Sequence, residues 1–171
     1  MQCIVAPYPH KKDNDRLFKV IEKNITNNLE RGNSSRTHWD LHKKGIKEID
    51  KLMLWISDHF DRATNELVIP YHRDAQYDFK IHSCWGMIYN KGEGVSLHNH
   101  FPYALSFVYY VRMPKGAAPL TISETEISPK EGEIVIFPSI LSHGVNDNQI
   151  KGRCCLAGNI LFLGTESSPG G

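Results

Sequence analysis

The chain has 171 residues, 40% hydrophobic and 23% charged, with 20 Lys and Arg nearly balancing 19 Asp and Glu. That length is enough to bury one core, while a formal net charge of +1 provides no electrostatic footprint for nucleic acid or an anionic membrane. No basic run interleaved with aromatics appears, which argues further against a nucleic-acid partner.

The opening MQCIVAPYPHKKD contains no apolar stretch long enough for a signal peptide or membrane anchor, so a cytoplasmic location is the default expectation. The four cysteines (Cys3, Cys84, Cys154, Cys155) show no C-x-x-C spacing. Cys154 and Cys155 are neighbours in a predicted strand and should point to opposite faces. Buried, reduced thiols are expected rather than a disulfide framework or zinc knuckle.

From Asp15 to Glu30, Phe18, Ile21, Ile25 and Leu29 recur at helical spacing and predict a first helix. Asn33–Thr37 reads as a loop. A second helix is predicted after Gly45, with Ile46, Ile49, Leu52, Met53, Ile56 and Phe60 on one face and Lys47, Glu48, Asp50 and Lys51 on the other. A connection through Pro70 follows.

Beyond about Tyr77, short β-rich runs alternate with turn residues. Predicted strands are Ile81–Tyr89, Val95–His100, Leu105–Arg112, Leu120–Ser123, Thr125–Ser128, Glu133–Phe137, His143–Val145 and Arg153–Phe162. Eight strands without an intervening long helix imply antiparallel sheets in a sandwich or small barrel. The expected organisation is a single domain over 1–171. Within it, 1–70 form a helical buttress against one outer face, 77–163 form the β core, and 164–171 form a mobile tail.

Of nine histidines, His10, His38, His42 and His59 suit solvated surface, and His72 and His82 stand alone. His98-Asn99-His100 differs, because residues two apart on a strand project from one face, about 6–7 Å apart at the backbone. Two such imidazoles can converge on one cation at about 2.0–2.2 Å. His143, near the end of a strand, is the natural third ligand of a facial set that leaves coordination positions open. Arg153 heads an otherwise uncharged, mostly apolar strand. An unpaired buried cation there would cost several kcal/mol, so it wants a carboxylate, and a dicarboxylate ligand would supply one in bidentate geometry. Its bland alternative is an exposed arginine on a final strand.

These segments together resemble the 2-oxoglutarate- and Fe(II)-dependent oxygenases, especially their small bacterial and phage branch and, more distantly, the prolyl hydroxylases. The resemblance is carried by His98-Asn99-His100, Leu105–Val111, Ile127–Ser139, Ser142-His143-Gly144-Val145, Arg153 and Asn159-Ile160, about half of the chain. It implies a double-stranded β-helix (a jelly roll, cupin-like) buttressed by two helices. It also implies His98 as the first Fe(II) ligand, His143 as the distal one, and Arg153 on the far carboxylate of 2-oxoglutarate. Tyr110 would donate a hydrogen bond to that same carboxylate, or else simply pack as a β-favouring aromatic.

Two residues depart from the family pattern. His100 stands where most members carry a carboxylate ligand, so a remote carboxylate such as Asp147 or Asp78 could complete the set instead. Cys155 stands where relatives often carry a serine that helps hold the cosubstrate. The implied reaction hydroxylates a C–H bond of a small-molecule or peptidyl substrate, consuming dioxygen and converting 2-oxoglutarate to succinate and carbon dioxide. It needs no general base from the protein. Trp85, Tyr89, Phe101, Tyr103 and Phe137 could line the substrate pocket or form barrel core. A rival reading is a three-histidine cupin that does not use 2-oxoglutarate. Gly92 and His98-Asn99-His100 fit the first cupin motif, but the acid expected within Phe101–Leu105 is missing. A second rival is a non-catalytic barrel used for binding. An arginine facing the histidines separates the oxygenase from both. The sequence carries no signal for oligomeric state.

Overall fold

The structure, a computed structural model, describes residues 2–26, 35–67 and 78–164. Eleven strands are described: β1 (Ile4–Pro7), β2 (Ile25–Thr26), β3 (Ser35–Thr37), β4 (Asp78–Tyr89), β5 (Val95–His98), β6 (Leu105–Arg112), β7 (Leu120–Ile122), β8 (Thr125–Ile127), β9 (Glu133–Pro138), β10 (His143–Val145) and β11 (Arg153–Gly164). They form a seven-stranded sheet in the order β1-β9-β6-β11-β4-β3-β2 and a four-stranded sheet in the order β5-β10-β7-β8. All pairings within both sheets are antiparallel. The two sheets face one another as a jelly roll.

Strict alternation along the central strands divides the apolar residues into two layers. On β6, Leu105, Phe107, Tyr109 and Val111 face outward with Ile134 and Ile136 of β9 and Leu156 and Ile160 of β11. The helices α1 (Asn14–Asn24), α2 (Lys47–Ser57) and α3 (Phe60–Leu67) cover this layer with Leu17, Ile21, Ile49, Leu52, Ile56 and Phe60. Val108 and Tyr110 point the other way, joining Trp85, Tyr89, Val135, Phe137, Cys155 and Ala157 beneath the smaller sheet. The helices therefore buttress one outer face, leaving the space between the sheets to the site.

The predicted β region lies close to where the sequence places it. The helical region requires corrections. The first helix ends at Asn24 rather than running to Glu30, because Ile25 turns extended (ψ 132°) and enters β2; Leu29 lies outside the described residues. Part of the predicted loop, Ser35–Thr37, is the short strand β3, held between β4 and the edge strand β2. The helix read as continuous to Phe60 breaks after Ser57 and restarts as α3, so three α-helices are present among the described residues where two were expected. Strand β1 was not anticipated. Gly164, the first residue of the expected tail at 164–171, closes β11; His72, Pro70 and residues 165–171 lie outside the described residues. All four cysteines are free thiols, and Cys154 and Cys155 occupy opposite layers as their alternation requires. Among the described residues, no helix is long and apolar enough to cross a membrane.

Candidate metal and cosubstrate site

His98 and His143 are paired directly across β5 and β10, which puts both imidazoles on one face with ring centroids 4.5 Å apart. The following residue, Gly144, makes this pairing possible. A Cβ there would lie 2.6 Å from the carbonyl oxygen of Val95, so a side chain would push β10 away from β5.

His100 reaches the cluster by another route than the expected one. Strand β5 stops at His98. Beyond it the chain turns toward β6, and the His100 amide donates 2.8 Å to the carbonyl of Ser139, in the connection just before His143. The two histidines thus do not share one strand face. Their rings nevertheless converge, with centroids 4.9 Å apart for His98–His100 and 5.0 Å for His100–His143. One ligand atom from each lies within 4.8 Å of the others.

Hydrogen bonds define which nitrogen is free. Nδ1 of His98 faces the carbonyl of Ser96 at 2.8 Å, and Nδ1 of His143 faces that of Leu141 at 3.0 Å. Nδ1 of His100 faces Oδ1 of Asn159 at 2.5 Å. An oxygen of this kind only accepts, so each Nδ1 carries the proton and each Nε2 keeps its lone pair for a cation. Asn159 is itself fixed. Its Oδ1 also accepts from Ser106 Oγ at 2.9 Å, Ser106 meets Ser139 Oγ at 2.7 Å, and its Nδ2 donates to Ser83 Oγ at 3.2 Å. Burial pushes His143 down to about 4, with smaller contributions from His98 and His100, and burial likewise lowers His100. Two of the imidazoles are thereby kept neutral at pH 7, the form that binds metal.

The cluster opens into a cavity of ≈ 690 Å³ between the sheets. Among the described residues, no Asp or Glu lines it. Asp147 is exposed on a different surface, and Asp78 begins β4 away from the cavity wall. Neither carboxylate joins the histidines, and among the described residues the ligand set is three imidazoles.

Arg153 also lines this cavity and is fully buried. Nε donates to the carbonyl of Ala118 at 3.2 Å, and the guanidinium carbon lies 4.5 Å from the Tyr89 ring centroid and 5.4 Å from that of Tyr110. It has no carboxylate partner among the described residues. Arg153 Nη2 and Tyr110 Oη are buried without completing a hydrogen bond of normal geometry. Tyr110 sits behind the lining, packed against Arg153, whereas Tyr89 forms the wall beside it. Burial, the largest influence, raises the phenols of both, so they stay protonated. Cys155, two residues along the same face, holds its Sγ 4.0 Å from Arg153 Nη1.

The five aromatics noted in the sequence all reach the cavity. Trp85, Tyr89 and Phe137 are buried core, Tyr103 is half-buried, and Phe101 is 70% exposed at the rim. Sequence reasoning did not single out Asn159, Arg36 or Trp39, all of which line the cavity. Asn159 was accessible to it, since counting by twos from Arg153 puts Cys155, Ala157 and Asn159 on the inward face.

The residues present fit a metal and an anionic chelate. Three converging lone pairs suit a divalent first-row cation, and a buried guanidinium with an unused N–H in an acid-free cavity suits a carboxylate.

The fold is the double-stranded β-helix of the 2-oxoglutarate/Fe(II) oxygenases, as solved structures show. The viral collagen prolyl hydroxylase of Paramecium bursaria Chlorella virus-1, in its 2-oxoglutarate complex, superimposes with a TM-score of 0.70 at 14% identity, covering 94% of this chain and 96% of that one. A prolyl-4-hydroxylase of Pseudomonas putida gives a TM-score of 0.66 at 18% identity, covering 94% and 92%. HygX of Streptomyces hygroscopicus, with nickel, 2-oxoglutarate and hygromycin B bound, gives 0.68 at 12% identity, covering 93% and 82%. At these identities the likeness establishes the fold. No protein-family model and no curated protein sequence matches the chain.

Proposed function

We propose that this chain is a non-haem Fe(II)- and 2-oxoglutarate-dependent oxygenase of the hydroxylase type, its residues 1–171 forming one domain. The observation that carries the reading is the sharing of one acid-free cavity by three Nε2 lone pairs and the buried, incompletely bonded Arg153. His98, His100 and His143 would hold the metal. Arg153 would bind the far carboxylate of 2-oxoglutarate, with Tyr110 Oη as a second donor. When bound, iron and 2-oxoglutarate supply the oxidising chemistry, in which reduction of dioxygen is coupled to decarboxylation and to hydroxylation of a C–H bond.

The protein's own work is placement and exclusion of water. Asn159 fixes the tautomer and ring plane of His100. Phe137 packs edge-on against His143 with centroids 4.7 Å apart, limiting its rotation. Tyr89, Tyr110 and Cys155 surround the guanidinium and keep water from competing for it. No side chain is needed to move a proton. Two of the structural neighbours are prolyl hydroxylases and a third holds hygromycin B, chemistries too unlike one another to assign this chain's own substrate. A cupin without 2-oxoglutarate would have no use for a guanidinium facing the histidines.

Anaerobic addition of Fe(II) and 2-oxoglutarate should produce a weak visible metal-to-ligand charge-transfer band. His98→Ala and His143→Ala should lose bound metal by elemental analysis. A silent spectrum from iron-loaded protein would overturn the oxygenase, and equal metal content in all variants would overturn the ligand set.

A further inference from the structure

We infer that the substrate of this site is an apolar carboxylate, its acid group held by Arg36 and its body by the Trp39 face; this rests on the oxygenase reading above. Among the described residues, Arg36 and Arg153 are the only Lys or Arg side chains lining the cavity, and no acid lines it. Three imidazoles add no negative charge, unlike a ligand set containing a carboxylate. The two carboxylates of 2-oxoglutarate, one at the metal and one at Arg153, offset only two of the four positive charges of a divalent metal and two guanidiniums, and no protein carboxylate among the described residues lining the cavity meets the rest. The field of the loaded cavity therefore favours an anion and repels a cation.

Arg36 is placed to use that field. It is directly opposite Met87 across β3 and β4, Met87 is opposite Cys155 across β4 and β11, and Cys155 is opposite Tyr110. Residues paired across antiparallel strands share a face, so Arg36 ends a row that runs along the cavity side of the sheet to the Arg153 pocket. Its guanidinium carbon lies 5.4 Å from the Trp39 ring centroid. A guanidinium held against a ring still presents N–H groups at its edge for bidentate recognition of a carboxylate. No carboxylate pairs with it among the described residues.

The path from Arg36 to the histidines is aromatic. Trp39 packs on Trp85 with centroids 4.3 Å apart, and Trp85 lies 5.7 Å from His100. Trp39 is 45% exposed, Leu97 63% and Phe101 70%, and all three line the cavity. Large apolar side chains left open at the mouth of a cavity provide the wall that an apolar ligand covers. A ligand anchored by its acid at Arg36 and lying along Trp39 extends toward the histidine cluster.

The test uses protein loaded anaerobically with Ni(II) and 2-oxoglutarate, with tryptophan fluorescence reporting binding. The probes are matched pairs: 3-phenylpropionate against 3-phenylpropionamide, and N-acetyl-alanyl-phenylalanine against its amide. The first pair represents a free acid, the second a peptide C-terminus. In at least one pair the acid should bind at least about tenfold more tightly than the amide, as a charge-assisted bidentate contact predicts. Arg36→Gln should erase that preference while leaving 2-oxoglutarate retention unchanged. Trp39→Ala should weaken acid and amide alike. Equal binding of acid and amide, no binding of any probe, a preference that survives Arg36→Gln, or displacement of 2-oxoglutarate by the acid would each overturn the assignment. Failure of the wild-type protein to retain 2-oxoglutarate, measured separately by calorimetry, would instead refute the function on which it rests.

Discussion

Replacing Arg153 with Met separates a residue kept for a ligand from one kept for the fold, because the two roles predict opposite signs. Without ligand, Arg153 is fully buried with one hydrogen bond to oxygen, from Nε to the Ala118 carbonyl, a long, weak one from Nη1 to Cys155 Sγ, and two ring contacts. Burial of an ion costs several kcal/mol even after relaxation. The carbonyl bond returns about 1.5–3 kcal/mol and each ring contact about 0.5–2 kcal/mol, an offset comparable to that cost, so the ligand-free guanidinium adds little or nothing to stability. Methionine occupies similar space without the charge, so ligand-free Arg153→Met should be as stable as wild type or up to about 3 kcal/mol more stable. With 2-oxoglutarate the order should reverse. Losing one member of a buried charge pair costs about 2–5 kcal/mol, or roughly 30- to 4,000-fold in affinity. A ligand at 100 times its dissociation constant should stabilise wild type by about 2.7 kcal/mol and the variant hardly at all. Urea unfolding of Zn(II)- or Ni(II)-loaded protein with and without 2-oxoglutarate reads both quantities. A variant destabilised by more than about 3 kcal/mol without ligand, yet still stabilised by 2-oxoglutarate, would refute the assignment.

Three further outcomes follow from the packing. Asn159→Leu should weaken metal binding by about 10- to 100-fold, whereas Asn159→Asp, which keeps the acceptor for His100, should retain it; Co(II) titration distinguishes them. Metal-free protein should lose stability as pH falls below 6.5. The folded-state value for His143 is about 4, so the unfolded chain takes up its proton first, costing about 2 kcal/mol between pH 6.5 and 5. Chelator-treated wild type and His143→Gln unfolded in urea across that window should differ in slope, and parallel slopes would exclude His143 as the cause. Leu156→Ala, in the helix-covered layer, should cost about 2–5 kcal/mol by thermal unfolding while leaving 2-oxoglutarate affinity unchanged.

The strands were legible because their signals are local. Leu105–Arg112 and Glu133–Phe137 are short, β-favouring apolar runs, buried along nearly their whole length and framed by turn residues. Strand β1 offers only Ile4–Pro7, too short for a period to stand out, although its buried and exposed residues do alternate. β3 is a short polar strand whose extension comes from pairing with β4 on one side and β2 on the other, which local propensity does not encode. The first helix was extended too far because Ile25 and Leu29 continue its spacing; the pairing of Ile25 with Thr37 overrides that periodicity. The histidines were legible from residue type and order, but the route by which His100 joins them was not, since it depends on the Ser139 carbonyl 39 positions away. Arg36 and Trp39 were missed because they come from the segment that packs beside β4, distant in sequence from every other wall of the cavity.

Strand β11 has a consequence for how the gene tolerates change. Its odd-numbered positions, Arg153, Cys155, Ala157 and Asn159, look into the cavity, while Cys154, Leu156 and Ile160 are set in the apolar layer under the helices. Loss of a single codon within this stretch would transpose the two sets from that point on, burying polar groups in oil and turning leucine toward the ligand. Point substitutions here can be graded in effect, but a one-residue frame slip in the protein should be all or nothing, and a deletion scan should show β11 as the least forgiving segment of the chain.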